Sequence, residues 1–152
     1  MAGTNINLKT DYIEIEDEGA VAALERLAAL GGNLEAPFKD IGEYLMQRTE
    51  ERFDTEAGPG GIEWPDIAAE TRKRKKHPKI LTESRDLRSS FSYAASADEL
   101  VFGTNVLYAA THQFGDPSRN IPARPFLGWD EEDGVEAVEI VLEHIDAEWW
   151  RQ

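Results

Sequence analysis

The apolar residues of this chain recur at two different spacings, and this change of spacing limits the folds that the chain can adopt. Three segments, 17–30, 37–53 and 131–150, place apolar residues three and four positions apart, which predicts three amphipathic helices. The clearest stripe is C-terminal and consists of Val135, Val138, Leu142, Ile145 and Trp149. We expect this stripe to face the core, with the carboxylates of the helix forming a solvated acidic face.

In other segments apolar residues alternate with polar ones, which is typical of strands. Residues 6–16 predict an N-terminal strand or hairpin arm, and residues 91–104 predict a β-hairpin with Asp98-Glu99 at its tip. Residues 121–127 are expected to be extended, because their two prolines fix φ and restrict the preceding residues. The sequence therefore predicts the α+β class: a small antiparallel sheet with about three helices, of which the C-terminal one is amphipathic.

Length and composition favour a single domain spanning residues 1–152. The chain contains no cysteine, so it holds neither a disulfide nor a thiolate metal site, and a reducing compartment such as bacterial cytoplasm suits it. The N-terminus lacks the basic and apolar regions of a signal peptide, and no apolar run approaches the roughly 20 residues of a membrane span. We therefore expect no membrane contact.

The formal net charge is −14, and its distribution along the chain is uneven. Nine of the 30 acidic residues lie in 130–148, whereas six of the 16 basic residues lie in 72–79, here called the basic run. Its cations are Arg72, Lys73, Arg74, Lys75, Lys76 and Lys79. The basic run is either a solvated face or an interface. Because the net charge of the whole chain is negative, a protein partner is favoured over DNA. Any contact with DNA would be unspecific, because no aromatic residue is interleaved for base stacking.

No constellation of residues indicates catalysis. His77, His112 and His144 lie in separate segments without the spacing of metal ligands. Pairs of carboxylates are expected by chance among 30 acidic residues. The chain has no Gly-x-Ser-x-Gly elbow, and its glycine-rich stretch 58–61 is not followed by the Gly-Lys-Ser/Thr of a phosphate loop. The sequence thus predicts no catalytic, cofactor-binding or metal-binding residue and no enzymatic activity.

Aromatic residues are candidates for the core and for an interface. We predict that Trp64 and Trp129 pack in the core. Three further aromatic residues, each in or beside a tight loop, are predicted to share one buried core: Tyr108, Phe114 and Phe126. Trp149 and Trp150 are adjacent and cannot both face one side of a helix, so one of them is expected to be exposed or covered in an assembly.

Arg124 is a further interface candidate. It stands between two prolines, which hold its backbone in one shape and project its guanidinium in a fixed direction. Two roles remain open for this side chain: a clamp within its own fold, or a contact with a neighbouring subunit.

Four blocks of sequence follow one another between Trp64 and Trp129. They are Gly61-Ile-Glu-Trp64-Pro-Asp with Thr71 and basic residues after it, Ile80-Leu81-Thr82-Glu-Ser84-x-x-Leu87, Val101-Phe-Gly103-Thr104-Asn-Val-Leu-Tyr108-Ala109-x-x-His112-Gln113-Phe114-Gly115, and Ile121-Pro122-Ala123-Arg124-Pro125-Phe126-Leu127-Gly128. In this order and spacing they resemble the phage virion morphogenesis and tail-completion family, which includes Mu-type G proteins. The chain departs from the family pattern at Arg85, where glycine is usual, and at Ile67, where leucine is usual.

The resemblance implies a small α+β structural subunit used in phage assembly at the head–tail junction or tail end, where such neck, connector or tail-terminator proteins commonly form rings. It carries no catalytic residues. It implies as partners further copies of the chain and other phage neck, connector or tail proteins. The expected location is the virion, and the host bacterial cytoplasm during assembly.

The residues themselves also favour a ring in which unlike surfaces of neighbouring copies meet. The basic run would attract the acidic segment 130–148, and Trp149 or Trp150 would supply apolar affinity. We further expect the basic run to be exposed or poorly ordered in the isolated subunit. Two alternatives are a nucleic-acid-binding morphogenesis factor that uses residues 72–79, and, less favoured, an acidic hydrolase that uses a carboxylate pair.

Overall fold

Four strands form one sheet in the order β2–β1–β4–β3. The computed structural model describes residues 5–9, 13–15, 17–67, 71, 73, 80–81 and 87–151. The strands are β1 (Asn5–Lys9), β2 (Ile13–Ile15), β3 (Ser92–Ala95) and β4 (Glu99–Gly103). The pairs β1–β2 and β3–β4 are antiparallel, whereas β1 and β4 run parallel, which makes the sheet mixed. Both predicted hairpin regions and the α+β class are confirmed.

The hairpin tip lies one residue earlier than predicted. The Ser96 hydroxyl accepts the backbone N–H groups of Asp98 and Glu99, at 3.1 and 3.2 Å, and this closes the turn before β4 begins. Glu99 is therefore the first residue of β4 and not part of the tip. A serine that satisfies turn N–H groups in this way is a common local alternative to ladder hydrogen bonding.

Helices α1 (Glu18–Ala29) and α2 (Glu35–Thr55) confirm the first two helical predictions. Asp17 caps α1 by accepting the backbone N–H of Ala20 at 2.9 Å, as an aspartate at this position is expected to do. The apolar face of α2, which consists of Phe38, Ile41, Leu45 and Phe53, is fully buried. α2 begins two residues before the predicted start at Pro37, which a proline in the first turn permits.

Two further helices complete the described fold: α3 (Ala109–Phe114) and α4 (Glu131–Arg151). Single 3₁₀ turns span Pro59–Gly61 and Pro117–Arg119. The departure from the family pattern at Arg85 lies outside the described residues. Among the described helices, none is both long and apolar enough to cross a membrane.

The buried face of α4 differs from the predicted stripe. Ile145 is buried as predicted, but Val135, Leu142 and Trp149 are exposed. The buried apolar positions of α4 are instead Ala137 and Val141, together with Ile145. At Gly134, an added Cβ would lie 2.3 Å from Asp17 Oδ2. A side chain at Gly134 would therefore collide with the residue that caps α1, so this position of α4 must stay small.

An aromatic cluster fills the space between α2, the sheet and the chain that leads into α4. The Phe53 ring centroid lies 5.4 Å from that of Trp64, 6.0 Å from that of Phe91 and 5.9 Å from that of Phe126. Burial of Trp64 and Phe126 confirms two predictions. Trp129 is partly buried and packs against this core.

The predicted burial of Tyr108 and Phe114 is wrong, because both side chains are exposed. The reason is the short helix α3, which was not predicted. Its six residues present only Ala109 and Gln113 to the interior. The aromatic residues at and beside its ends therefore point away from the core.

Candidate functional site

Four charged residues, here called the ion network, join α2 to the first turn of α4. Arg48 Nε lies 3.0 Å from Asp133 Oδ1, and Arg48 Nη2 lies 3.0 Å from Asp130 Oδ2. Arg52 Nη2 lies 3.0 Å from Asp133 Oδ2, and the Asp133 side chain is fully buried. The Tyr44 hydroxyl also donates to Asp133 Oδ1, at 2.9 Å. A buried carboxylate is tolerated here because two guanidinium groups and a phenol compensate for its lost hydration.

The pKa values of Asp130, within the ion network, and of the adjacent Tyr44 are both shifted. Burial raises the pKa of Tyr44, and its hydrogen bond to Asp133 raises that pKa further. Burial acts to raise the pKa of Asp130, but the backbone N–H groups of Gly60 and Asp133 and the two nearby guanidinium groups outweigh it, so that this pKa lies below its ordinary value. An open groove of about 400 Å³ follows the network. The arginines at its wall are already neutralised by the chain's own carboxylates, so the arrangement stabilises the fold.

Gln113 fastens residues 121–128, here called the proline arm, to α3. Its Oε1 accepts the backbone N–H groups of Phe126 and Leu127, at 3.0 and 2.9 Å, and its Nε2 donates to the Leu127 carbonyl at 2.8 Å. The backbone N–H of Arg124 also donates to the His112 carbonyl at 2.7 Å. Sequence reasoning did not identify Gln113, although a polar residue on the inner face of a short apolar segment was a possible signal.

Arg124, which lies in the proline arm, bonds to the segment that contains Pro65 and Asp66. Its Nε donates to the Pro65 carbonyl at 2.7 Å and its Nη2 to the Asp66 carbonyl at 3.0 Å, and the side chain is buried. Trp64 Nε1 donates to the Pro125 carbonyl at 2.7 Å. Of the two roles left open by the sequence, the structure gives Arg124 the clamp within its own fold. Its contact with a neighbouring subunit stays a prediction.

An apolar groove lies between the two segments that Arg124 joins. We call it the proline groove, and its apolar walls are Pro59, Ile62, Pro65, Ala123 and Pro125. It encloses about 450 Å³, and the Ile62 side chain is 73% exposed at its edge. The groove is open to solvent, and the acidic residue Glu63 also lines it. An apolar concavity on the surface of a small domain is a candidate binding surface.

A second apolar surface runs along the outer side of α4. Val135, Leu142 and Trp149 are 59%, 41% and 64% exposed, and we call these three residues the α4 stripe. Seven-residue steps keep them on one line of the helix, over roughly 21 Å at 1.5 Å per residue. Trp150, 85% exposed, lies off this line. Neither tryptophan of the terminal pair reaches the core of the described structure.

The acidic side chains Glu139, Glu143 and Asp146 are exposed on α4 and border the α4 stripe. Of the six cations in the basic run, Lys73 is described and exposed. Arg72, Arg74, Lys75, Lys76 and Lys79 lie outside the described residues, and so does the prediction that the basic run is poorly ordered.

Among the described residues, no group of three or more His, Asp or Glu side chains is placed to hold a metal ion. Burial lowers the pKa of His112, and the positive charges of Arg124 and Arg119 lower it further. His144 Nε2 lies 2.7 Å from Asp40 Oδ2 on α2, in a contact between two helices. The site is therefore best described as two apolar surfaces on a rigid frame, an arrangement suited to binding another protein.

The sequence profile of the phage virion morphogenesis family matches residues 15–146. Mu-like prophage FluMu G protein 2 of Haemophilus influenzae is 29% identical over 141 residues, which cover 88% of this chain and 96% of that protein. FluMu G protein 1 of the same organism is 31% identical over 110 residues, covering 68% and 73%. The putative capsid assembly protein G of Escherichia phage Mu is 28% identical over 115 residues, covering 68% and 74%. No solved structure matches the chain.

Proposed function

Because the chain belongs to the phage virion morphogenesis family, we propose that it is a structural virion protein of a tailed phage. It acts at the head–tail junction as a neck, tail-completion or tail-terminator subunit, and it performs no catalysis. The observation that carries the proposal is the family match over residues 15–146. The exposed apolar surfaces on a firmly bonded frame support it, because a structural subunit needs such surfaces to bind its neighbours.

The subunit assembles with itself into a ring and then binds other phage neck, connector or tail proteins. Support for the ring comes from the unlike surfaces of the chain. A head-to-tail contact between unlike surfaces closes into a ring when its rotation closes. Attraction between the basic run and the acidic side of α4 would steer neighbouring copies together and set their register. The protein then resides in the virion, after assembly in the host bacterial cytoplasm.

Loss of the protein from an infecting phage tests this role. We expect lysates of a nonsense mutant, viewed by electron microscopy, to contain filled heads and tails that remain unjoined. A copy of the gene supplied from a plasmid should restore joined particles and is the matched control. Lysates that lack capsid shells would contradict the proposal, because they would place the protein in head building. Mass spectrometry of purified virions then checks that the protein stays in the particle.

The basic run supports a second candidate, a nucleic-acid-binding morphogenesis factor that uses residues 72–79. Six cations within eight residues would bind DNA phosphates without sequence preference. Retention of the protein on duplex DNA, followed through a salt titration, separates the two. Binding at physiological salt with a steep salt dependence would favour the second candidate. We expect no retention there, because the net charge of −14 opposes approach to DNA.

A further inference from the structure

The outer side of α4 combines an apolar line with charges of one sign. The three residues of the α4 stripe are exposed along the helix. Glu139 and Asp146 are exposed beside them, since each stands three or four positions from two members of the stripe. Residues 131–150 of the helix contain no lysine or arginine. A partner that packs here therefore meets apolar side chains together with negative charge.

An open groove continues the α4 stripe at its N-terminal end, where α4 lies beside the start of α1. Gly19, Gly134 and Val138 line it together with Val135, the first residue of the stripe, and its volume is about 360 Å³. The charged side chains among its described lining residues are all acidic: Asp17, Glu131 and Glu139. The stripe and this groove thus form one surface, here called the α4 face.

The spacing of the stripe indicates a helical occupant. Its members repeat every seven residues, which is the repeat that keeps one line of a helix against a second helix in left-handed pairing. An isolated extended segment would leave backbone N–H and C=O groups without partners against an apolar surface. A helix bonds these groups internally and can lay its apolar side along the whole stripe.

Charge and composition decide between occupants. The α4 of a second copy is helical, but it would bring carboxylates against carboxylates, so two α4 faces repel each other. The basic run has the opposite charge, but it contains no aliphatic residue, methionine, phenylalanine, tyrosine or tryptophan to cover the stripe. Helices α1 and α2 bury their apolar residues in their own core. The occupant must therefore come from a different protein.

We propose that the α4 face docks a cationic amphipathic helix of another phage protein. The apolar side of that helix covers the stripe, and its lysine or arginine side chains meet Glu139 and Asp146. The proposal rests on the role in phage assembly proposed above and states which kind of partner the α4 face receives. Contacts between copies of the chain then use other surfaces.

Photo-crosslinking in infected cells identifies the occupant. The photoreactive amino acid p-benzoylphenylalanine replaces Leu142 in the stripe or, as the matched control, Leu107, which is 98% exposed before α3. Mass spectrometry of the conjugates then identifies the captured segment. We expect position 142, and not position 107, to capture another phage protein, in a segment where lysine or arginine flanks apolar residues at helical spacing.

Three results would overturn the proposal. The first is capture from position 142 of a second copy of this chain, and the second is capture of a segment without cations or of no protein at all. The third is capture of the same segment from position 107, because the contact would then not depend on the α4 face.

A synthetic peptide of the captured segment measures the apolar half of the contact by isothermal titration calorimetry. Leu142→Gln and Trp149→Gln together should raise the Kd by more than about tenfold, because they remove two exposed apolar contacts. Leu107→Gln is the control and should leave the Kd unchanged. Thermal unfolding like that of the wild type would show that each variant is folded, and an unchanged Kd in a folded double variant would overturn the docking.

A second pair of variants measures the charged half with the same peptide. Glu139→Gln with Asp146→Asn should raise the Kd about three- to tenfold and make binding less sensitive to salt. Glu63→Gln with Asp98→Asn removes the same two residue types from other exposed positions and is the control. Equal weakening by both pairs would overturn the docking of cations at the α4 face, because it would reflect net charge alone.

Failure of this contact and failure of the proposed function give different results. Lysates of the nonsense mutant that lack capsid shells would contradict the head–tail role, whatever position 142 captures. Unjoined heads and tails in those lysates, with no cationic segment captured from position 142, would overturn the docking alone.

Discussion

Gln113 makes three hydrogen bonds to the backbone of the proline arm and is itself buried. Prolines fix φ but remove N–H donors, so an arm of this kind has few ways to bond to the rest of the fold. A single amide side chain, with both an acceptor and donors, satisfies several of its remaining backbone groups at once. This explains why a glutamine stands in the otherwise apolar interior of α3.

Replacement of Gln113 by alanine should therefore be costly. It leaves the buried N–H groups of Phe126 and Leu127 without their acceptor, and each such group costs about 1–3 kcal/mol. We expect the free energy of unfolding, measured by urea titration, to fall by at least about 2 kcal/mol. Gln47→Ala, the same change at an exposed position of α2, is the control and should change stability by less than about 0.5 kcal/mol. Equal effects at both positions would contradict the role of Gln113.

Phe126 and Phe114 allow the same substitution to be compared at a buried and at an exposed position. Phe126 is fully buried in the aromatic cluster, whereas Phe114 is exposed at the end of α3. Phe126→Ala should lower the free energy of unfolding by about 3–5 kcal/mol, because it removes packed surface and leaves a cavity. Phe114→Ala should cost under about 1 kcal/mol in the isolated subunit. Urea unfolding of both variants checks the difference, and a small loss at Phe126 would place it outside the core.

At the scale of elements, the contact between α2 and α4 is organised by charge as well as by packing. Arg48 and Arg52 lie one turn apart on α2, so both guanidinium groups reach the first turn of α4. Asp130 and Asp133 accept them and also exchange backbone bonds, Asp130 N–H to Asp133 Oδ2 and Asp133 N–H to Asp130 Oδ1, each at 3.0 Å. The start of α4 is thereby capped by the same carboxylates that bind α2.

The ion network predicts a dependence of stability on pH. The pKa of Asp130 is lower in the folded chain than its unfolded value of about 3.9. Its stabilising contribution is therefore complete above that value and is lost as the pH falls through the folded pKa. Asp130→Asn should be less stable than the wild type at pH 7, and this difference should shrink as the pH is lowered below about 4.

Urea unfolding of both proteins at a series of pH values measures this difference. Glu131→Gln, an exposed neighbour in the first turn of α4, is the control, and its difference from the wild type should vary much less with pH. A wild-type advantage over Asp130→Asn that grows on acidification would contradict the predicted direction.

At the scale of the whole molecule, the distribution of charge along the chain matters more for the proposed assembly than the net charge does. The chain carries 30 acidic and 16 basic residues, and an even distribution would only make copies repel one another. In the proposed ring, the cations concentrated in the basic run would attract the acidic α4 of another copy. Such attraction speeds encounter and fixes orientation, while apolar anchors supply most of the affinity.

Reversal of Arg72, Arg74 and Lys75 to glutamate should slow assembly and make its rate less sensitive to salt. The stability of the monomer should stay unchanged. The rate, followed by light scattering at low and high salt, is the measurement, since screening weakens steering. Reversal of the same number of cations elsewhere, at Arg26, Lys39 and Arg119, keeps the net charge equal and should have a smaller effect. Wild-type assembly that is equally fast at both salt concentrations would remove the electrostatic part of the proposal.

The sequence by itself determined the class of the fold, most of its elements and its family. Periodicity is a local property, so residues 17–30, 37–53 and 131–150 could be assigned to helices without knowledge of what they contact. The lack of cysteine and the separation of charge could likewise be read directly. The family resemblance used ordered motifs, and the match over residues 15–146 agrees with it.

Only the tertiary structure decided which side of each element faces inward and which partner each polar group finds. Apolar spacing placed Val135 and Leu142 in the stripe of α4 that was expected to face the core, but both are exposed, and Ala137 and Val141 are buried in their place. The sequence left open whether Arg124 bonds within its own chain, and the structure shows it bonded to the carbonyls of a segment about 60 residues away. Such outcomes depend on contacts between residues distant in sequence, and local pattern carries no information about them.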